Sequence, residues 1–438
     1  MSRQSGVLES WFQLSARGTT AGREVMAGLT TFMTMAYIIF VNPSILSAAG
    51  MPKEAIADAT IIAAALMCLA MGFISNYPFA LASGMGLNAV VAFSIVTGSG
   101  YSFATAMGMI VVEGLVVFIL VLTNLRQAVM NAIPLALKRA IGIGIGLFIA
   151  FIGLQDGSIL QATPATFVTM ASLATPQAFV TAAGVVIIAW LMARRVQGAI
   201  LLGIIASTIL ALIVGVTHWP AEISAFTFKT DTMFAFTGAD WGAIFSVAGL
   251  SVVFALMLSD FFDTMGTVVA IGGQAGFTDK SGRLPGLNRV LGVDAIAAAV
   301  GGVLGASSVT TYIESASGVA AGGRTGLTSV VTGLLFLLAL LIVPIVGVIP
   351  SQATAPALIV VGFLMMSVIK DIDFSNIEES LPAFVTLIGI PLTFSIADGI
   401  GWGFISYVAI KLLGGKFREV HPALYVVAAL FFIDFVWV

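Results

Sequence analysis

The sequence predicts an all-α polytopic membrane protein of fourteen transmembrane segments, arranged as two inverted seven-segment repeats with short extended segments in spans 3 and 10. Three observations carry this fold class. First, the 438 residues are 59% hydrophobic and 9% charged, with a mean hydropathy of +1.10, whereas soluble domains carry roughly a quarter charged residues. Second, the apolar runs have the length of a bilayer crossing, about 20 residues within a range of about 17–25. Third, the lysines and arginines collect in alternate connections, as the positive-inside rule requires.

In chain order, the first set of spans falls near 24–43, 57–76, 79–97, 103–123, 139–155, 178–193 and 199–217. A polar stretch, 218–240, separates it from a second set near 243–272, 288–304, 307–322, 328–349, 355–370, 381–396 and 399–413. The last apolar stretch, 425–438, is too short to span comfortably and contains Asp434, so it reads as interfacial or packed against the bundle. With both termini cytoplasmic, sixteen of the 18 basic residues lie inside, among them Arg17, Arg23, Arg126, Lys138, Arg139, Arg194, Arg195, Lys280, Arg283 and Arg324; only Lys53 and Lys229 lie outside. One missed or invented span in the middle would have scrambled that pattern. Residues 1–20 are polar and mixed, without an apolar core or a small-residue cleavage site, so insertion is expected to use the first span itself.

The two sets resemble each other. Asn131-Ala-Ile-Pro134 and the glycine-rich run after Arg139 parallel Gly347-Val-Ile-Pro350 and the run after Ala355. Pro134 pairs with Pro350 and Gly146 with Gly362, both at a spacing of 216. Seven spans per set is an odd number, so the second copy must be inverted. Inverted repeats with interrupted helices at matching places are the signature of secondary transporters.

The net charge of −3 and the lack of a basic tract give no sign of nucleic-acid binding. A single cysteine, Cys68, excludes an intramolecular disulfide and, lying in an apolar run, reads as a packed core residue. His218 and His421 stand in polar edges and form no metal-ligand cluster. Gly142-Ile-Gly-Ile-Gly146 lacks the Lys-Ser/Thr of a phosphate loop and lies within a span. No cofactor or metal is therefore expected.

The chemistry is expected at residues 305–324, a stretch rich in hydroxyls and glycines between two apolar runs that carries Glu314. An ionisable group at the helix centre costs about 2.5–3.5 kcal/mol on insertion scales and usually marks a substrate or proton path. The run reads as extended up to Ile313 and as a helix start after it, which is tolerated at that depth only within protein or along a cavity. Its repeat mate, residues 77–89, is interrupted by Pro78, Gly84 and Gly86 just before Asn88. Two half-helices would thus converge with free N–H groups near the midplane; the alternative for Asn88 is a satisfied amide in a glycine-rich packing seam. Asp260 and Asp263, three residues apart in the eighth span, fall near one helix face. Burial and like charge favour the protonated form of a carboxyl, so at least one of them should hold a proton and, with Glu314, form a relay. Local hydrogen bonds to Thr264 or Thr267 are the structural alternative. Glu113 could face the same cavity or pair internally, and Asp294, beside Asn288 and Arg289, reads as part of a structural charge pair. Phe32, Tyr37 and Phe262 could stack on a flat ligand, with Thr264, Thr310, Thr311 and Ser315 as further cavity-lining candidates.

Four stretches carry a family resemblance: residues 22–43, Gly84-Met-Gly-Leu-Asn88, Asp260-Phe-Phe-Asp-Thr-Met-Gly-Thr267 and Thr311-Tyr-Ile-Glu-Ser-Ala-Ser-Gly-Val-Ala-Ala-Gly-Gly-Arg-Thr-Gly326. Over nearly the whole chain the sequence resembles the AzgA-like purine permeases, a branch of the nucleobase/ascorbate (nucleobase:cation symporter-2) transporter superfamily. The resemblance implies a core domain of spans 1–4 (24–123) and 8–11 (241–349) and a gate domain of spans 5–7 (124–217) and 12–14 (350–413). Residues 1–23 would be a cytoplasmic N-terminus, 218–240 an extracellular loop and 414–438 a C-terminal tail. It implies proton-coupled import of adenine, hypoxanthine or guanine across the cytoplasmic membrane, with the base between spans 3 and 10. Asn88, Asp260, Asp263 and Glu314 are then the positions expected to bind the base or carry the proton. A homodimer is common for the fold it resembles. The rivals are a carrier for xanthine, uracil or an inorganic anion on the same fold, a passive channel and, with least support, an intramembrane enzyme.

Overall fold

The computed structural model describes residues 6–123, 132–164, 166–220, 227–277 and 284–437, except for the side chains of Phe262, Val269, Ala270, Gln274 and Trp437. Arg126, Asn131, Lys280 and Arg283 of the sequence argument lie outside the described residues.

A short α1 (Val7–Phe12) precedes α2 (Ala21–Met35), which is capped by Thr20 accepting from Arg23 N. The expected first span is not one continuous helix: α2 passes into α3 (Ile38–Leu46) at Ala36 and Tyr37. There Ile39 N donates to Ala36 O at 3.1 Å and Phe40 N to Tyr37 O at 3.0 Å, the tighter i→i+3 pattern. Pro43 within α3 supplies no N–H to the ladder. Next come α4 (Lys53–Ser75), β1 (Leu81–Ser83), α5 (Met85–Ala89) continuing as a π-helix (Val90–Gly98), and α6 (Phe103–Leu122). α7 (Leu135–Asp156) leads into a hairpin of β2 (Leu160–Thr163) and β3 (Phe167–Met170), then α8 (Pro176–Ala193) and α9 (Ala199–Ile213).

The second half begins with α10 (Trp241–Ile244), α11 (Val247–Gln274) and α12 (Leu287–Leu304). It continues with β4 (Val309–Thr311), α13 (Ser315–Ala320), α14 (Gly326–Ala339) and α15 (Val343–Val346). It closes with α16 (Ser351–Met365), α17 (Ile377–Thr393), α18 (Ile396–Leu413) and α19 (Pro422–Trp437). Among the described residues, ten helical stretches are long and apolar enough to cross a bilayer, and Met85–Gly98, Ala199–Ile213 and Pro422–Val436 are apolar but shorter. The expected spans 3 and 10 are the two strand-plus-short-helix segments, while spans 7 and 13 fall on the 15-residue α9 and the 17-residue α17.

The helices pack in two groups. α2, α4 and α6 pack against α11, α12, α13 and α14, whereas α7, α8 and α9 pack against α16, and α17 against α7 and α18. The helices of the expected repeat match, α7 and α16, both start after a proline, Pro134 and Pro350. They cross where the matched glycines meet: a Cβ on Gly146 would stand 2.9 Å from Gly362 O. The two lysines outside the basic pattern lie at one end of the bundle. Lys229 binds Glu54 at 2.7 Å, which holds its ammonium above the ordinary range, and its N–H donates to Asp58 at 2.8 Å. Lys411, nearly buried, joins Glu378 (2.8 Å) and Glu419 (2.7 Å), tying the tail to α17 and α18. The terminal apolar stretch is a helix packed on the bundle: Phe431 of α19, 2% exposed, lies against Phe254 of α11 and Phe404 of α18.

Candidate functional site

The two interrupted segments meet as a two-stranded antiparallel ladder, with Leu81 opposite Thr311, Ala82 opposite Thr310 and Ser83 opposite Val309. Extended backbone inside a helical bundle must find every partner within the protein, and here it does so on both sides. Gly84 N donates to Ser308 O and Tyr312 N to Ala80 O, each at 2.9 Å. Ala80 N donates to Ser315 Oγ at 2.9 Å, and Tyr312 Oη to Ser83 O at 2.5 Å. Cys68 is a buried core residue as expected, and its sulfur also donates to Leu81 O (3.2 Å) and accepts from Leu81 N (3.1 Å). Gly84 is required by close approach: a Cβ there would stand 2.9 Å from Thr310 Cγ2.

Asp294 fastens this ladder to the helices behind it. One of its oxygens accepts from Thr311 N (2.9 Å) and Thr311 Oγ1 (2.7 Å), the other from Thr264 Oγ1 (2.7 Å). Thr264 Oγ1 also lies 2.8 Å from Thr310 Oγ1. Asp294, expected from the sequence to belong to a structural charge pair, makes these contacts with Thr264 on α11 and Thr311 on β4. Thr264, Thr310, Thr311 and Ser315 are all 1% exposed or less and hold the frame with their hydroxyls, rather than facing an opening. Asn42, which the sequence did not single out, donates to Thr60 Oγ1 (2.8 Å) and Ala306 O (3.1 Å) and fixes the lead-in to β4.

Past the ladder, the chain emerges at Ile313, 51% exposed, and Glu314, half-buried at the start of α13. Tyr37, at the break between α2 and α3, is fully buried and donates its hydroxyl to Glu314 Oε1 at 2.6 Å. Asp263 of α11 is accessible to solvent, yet Asp294, Glu314, Tyr37 and Tyr312 stand around it. Glu314 and Asp263 are thus acidic neighbours at accessible positions beside the strand crossing.

Asp260 lies elsewhere. Three residues turn an α-helix by about 300°, which leaves room for the two aspartates to part. Asp260 is fully buried, with Glu113, Asp294 and Asp263 as acidic neighbours and the Thr310 hydroxyl facing it. Neither of its oxygens has a hydrogen-bond partner among the described residues. Glu113 is equally buried and accepts from Ser308 Oγ at 3.5 Å. Asn88 on α5 is fully buried, and neither of its amide atoms has a hydrogen-bond partner among the described residues. Phe32 is half-buried with its ring 5.2 Å from that of Phe336; the Phe262 side chain lies outside the described residues. Glu24, another residue the sequence left unmarked, is fully buried and accepts from Arg324 N (2.8 Å), Thr325 N (3.2 Å) and Thr328 Oγ1 (2.6 Å), anchoring the far end of the interrupted segment.

Short strands crossing inside a helical bundle, each running into a short helix, define a multi-pass membrane transporter fold. The transmembrane domain of a cyanobacterium bicarbonate transporter, BicA, has this fold, with a TM-score of 0.63 over 86% of this chain and 97% of that one at 16% identity. The sequence profile of a Permease family matches residues 22–401. The chain belongs to that family, the nucleobase/ascorbate permeases, and is a permease rather than an enzyme. It is 40% identical over 433 residues to the adenine permease AdeP of Escherichia coli (strain K12), covering 99% of this chain and 97% of that one. It is 41% identical over 439 residues to the guanine/hypoxanthine permease PbuG of Bacillus subtilis (strain 168), covering 98% of this chain and 100% of that one. The resemblance drawn from the motifs is thereby borne out at the family level.

Proposed function

We propose that the chain imports purine nucleobases by proton symport across the cytoplasmic membrane, through alternating access. The observation that carries this reading is the pair of acidic neighbours Glu314 and Asp263 at accessible positions beside the strand crossing, read here as a shared recess, in a chain whose relatives are named adenine and guanine/hypoxanthine permeases. Ionised carboxylates are pure hydrogen-bond acceptors, which suits the N–H groups of a purine. The same acids disfavour an inorganic anion, by like-charge repulsion and desolvation.

In this reading Glu314 and Asp263 contact the base. Asp260, with Glu113 beside it and Asn88 buried on α5, forms the interior reserve that senses or carries the coupling proton. The topology is fourteen spans with both termini cytoplasmic. A core of 24–123 and 241–349 moves against a gate of 124–217 and 350–413, with 218–240 outside and 414–438 as the tail. Two copies assemble as a homodimer. The packing of α2, α4 and α6 with α11–α14, and of α7–α9 with α16, supports that division.

The test is uptake of labelled adenine, hypoxanthine, guanine, xanthine and uracil in a permease-deficient strain, with and without an uncoupler. Accumulation of a purine that the uncoupler collapses is the expected result; no purine accumulation would end the proposal. Glu314→Gln is expected to abolish accumulation while the protein still inserts, and near-normal uptake would reduce Glu314 to a structural role.

A further inference from the structure

The break in the first apolar stretch places a phenol where the proposed substrate site needs a fixed donor. Tyr37 lies at the junction of α2 and α3, with its side chain fully buried, and reaches across 277 positions of sequence to Glu314 Oε1 at 2.6 Å. Its ring is enclosed by the same acids that shape the recess, Glu314 and Asp263, with Tyr312 alongside. Glu314 itself begins α13, a helix of only six residues, and its side chain caps no helical N–H beyond its own residue. A carboxylate at the head of so short an element has three side-chain torsions to settle and no regular partner. The Tyr37 hydroxyl is the neutral donor that settles them.

We propose that Tyr37 is a positioning residue of the substrate site: by donating to Glu314 Oε1 it turns the second oxygen, Oε2, into the recess as the acceptor for an N–H group of the base. The proposal rests on the nucleobase reading of the site. A phenol at this place has two properties that a charged donor lacks. It keeps Glu314 an acceptor without neutralising it, so the carboxylate still attracts N–H groups. It also engages only Oε1, so a single N–H of a flat ring is read in a single direction by Oε2. The bond links the α2–α3 junction to the head of α13, so Glu314 is held by the first stretch of the chain as well as by its own.

Tyr37→Phe removes only the hydroxyl and keeps the ring in its packing. The experiment measures equilibrium binding of labelled adenine, hypoxanthine and guanine to the purified full-length protein, its melting temperature without ligand, and KM and Vmax of uptake. Loss of a hydrogen bond to a charged group predicts that Kd and KM for the bound purine rise about tenfold, with ligand-free melting unchanged and Vmax retained. In a Glu314→Asp background, whose shorter side chain withdraws from the phenol, Tyr37→Phe should weaken binding no further. Unchanged Kd in Tyr37→Phe would overturn the proposal. So would a Tyr37→Phe protein that fails to fold, or that loses Vmax at constant KM, because either makes the phenol a structural tether. If the unaltered protein binds none of the three purines, it is the nucleobase reading that falls.

Discussion

Asp263 and Asp294 are acidic neighbours beside the strand crossing, but their oxygens have different partners. Asp294 accepts three hydrogen bonds from Thr264 and Thr311, whereas Asp263 turns to the accessible recess. Replacing Asp294 by Asn sets an NH2 group against one of those donors and removes the charge from the rest. Hydrogen bonds to charged groups contribute about 1.5–3 kcal/mol, so Asp294→Asn should lower the melting temperature and the yield of folded protein. Asp263→Asn should leave both near normal and remove purine uptake. Melting and uptake of the two purified variants, side by side, check the division; equal loss of stability in both would refute it. The sequence marked Asp260, Asp263 and Glu314 because a carboxylate in an apolar run is conspicuous. It could not show that Asp260 and Asp263 part company, nor that the partners of Asp294 lie 30 and 17 positions away, because those contacts exist only once β4 is laid against α11 and α12. Tyr37 was legible as an aromatic near the site, while its hydroxyl bond to a residue 277 positions away was not.

Among the elements, the interrupted segments were the most readable, since glycines and hydroxyls at membrane depth leave few alternatives to extended backbone in protein. What composition could not supply was their register, with Ala82 opposite Thr310 at the centre. The β2–β3 hairpin was missed because its strands are short and its turn lacks the Asn-Gly or Asp-Gly signal. The π-helical stretch after α5 carries no local mark either. The repeat spacing of 216 proved informative in an unexpected way, because the matched glycines are each other's contact. A Cβ on Gly362 would stand 2.7 Å from Ala150 Cβ and 2.9 Å from Ala150 N, so the two helices would have to separate. Overpacking of this kind typically costs about 1–3 kcal/mol. Gly362→Val and Gly146→Val should therefore each lower the melting temperature in detergent. Gly142→Val, on the same α7 but with open space at its Cβ, should not lower it, because valine is the better helix former of the two. Equal melting of all three variants would show that the crossing tolerates side chains and that the matched spacing is incidental.

For the molecule as a whole, the proposed recess opens toward one end. Along α11, residues from Ala255 to Phe261 are buried, whereas the face that begins at Asp263 is open at Gly266 and Gly273, nearer the C-terminal end of the helix. In the proposed reading, Phe394 closes the way to the other end. This residue adopts a left-handed backbone (φ 55°) at the α17–α18 junction. Its ring lies 5.5 Å from that of Phe148 and 5.2 Å from that of Phe151, and its carbonyl accepts from Ser94 Oγ in the π-helical stretch. The seal thus joins the two helix groups that alternating access would move apart, and it is held by one hydroxyl bond and three rings. With the proposed topology, the open end is cytoplasmic and the sealed end extracellular. Because the lone Cys68 is buried, a single introduced thiol can report access. Gly266→Cys should react with a membrane-impermeant maleimide in inside-out vesicles and resist it in right-side-out vesicles. Adding Phe394→Ala removes a ring from the seal, so the same thiol should gain reactivity from the outside and lose some from the inside. Saturating purine should slow the reaction at Gly266→Cys, one turn of α11 from Asp263. Equal labelling from both sides before Phe394 is altered would mean that the rings do not close the path, and that the recess is a channel rather than the inward-facing half of a carrier cycle.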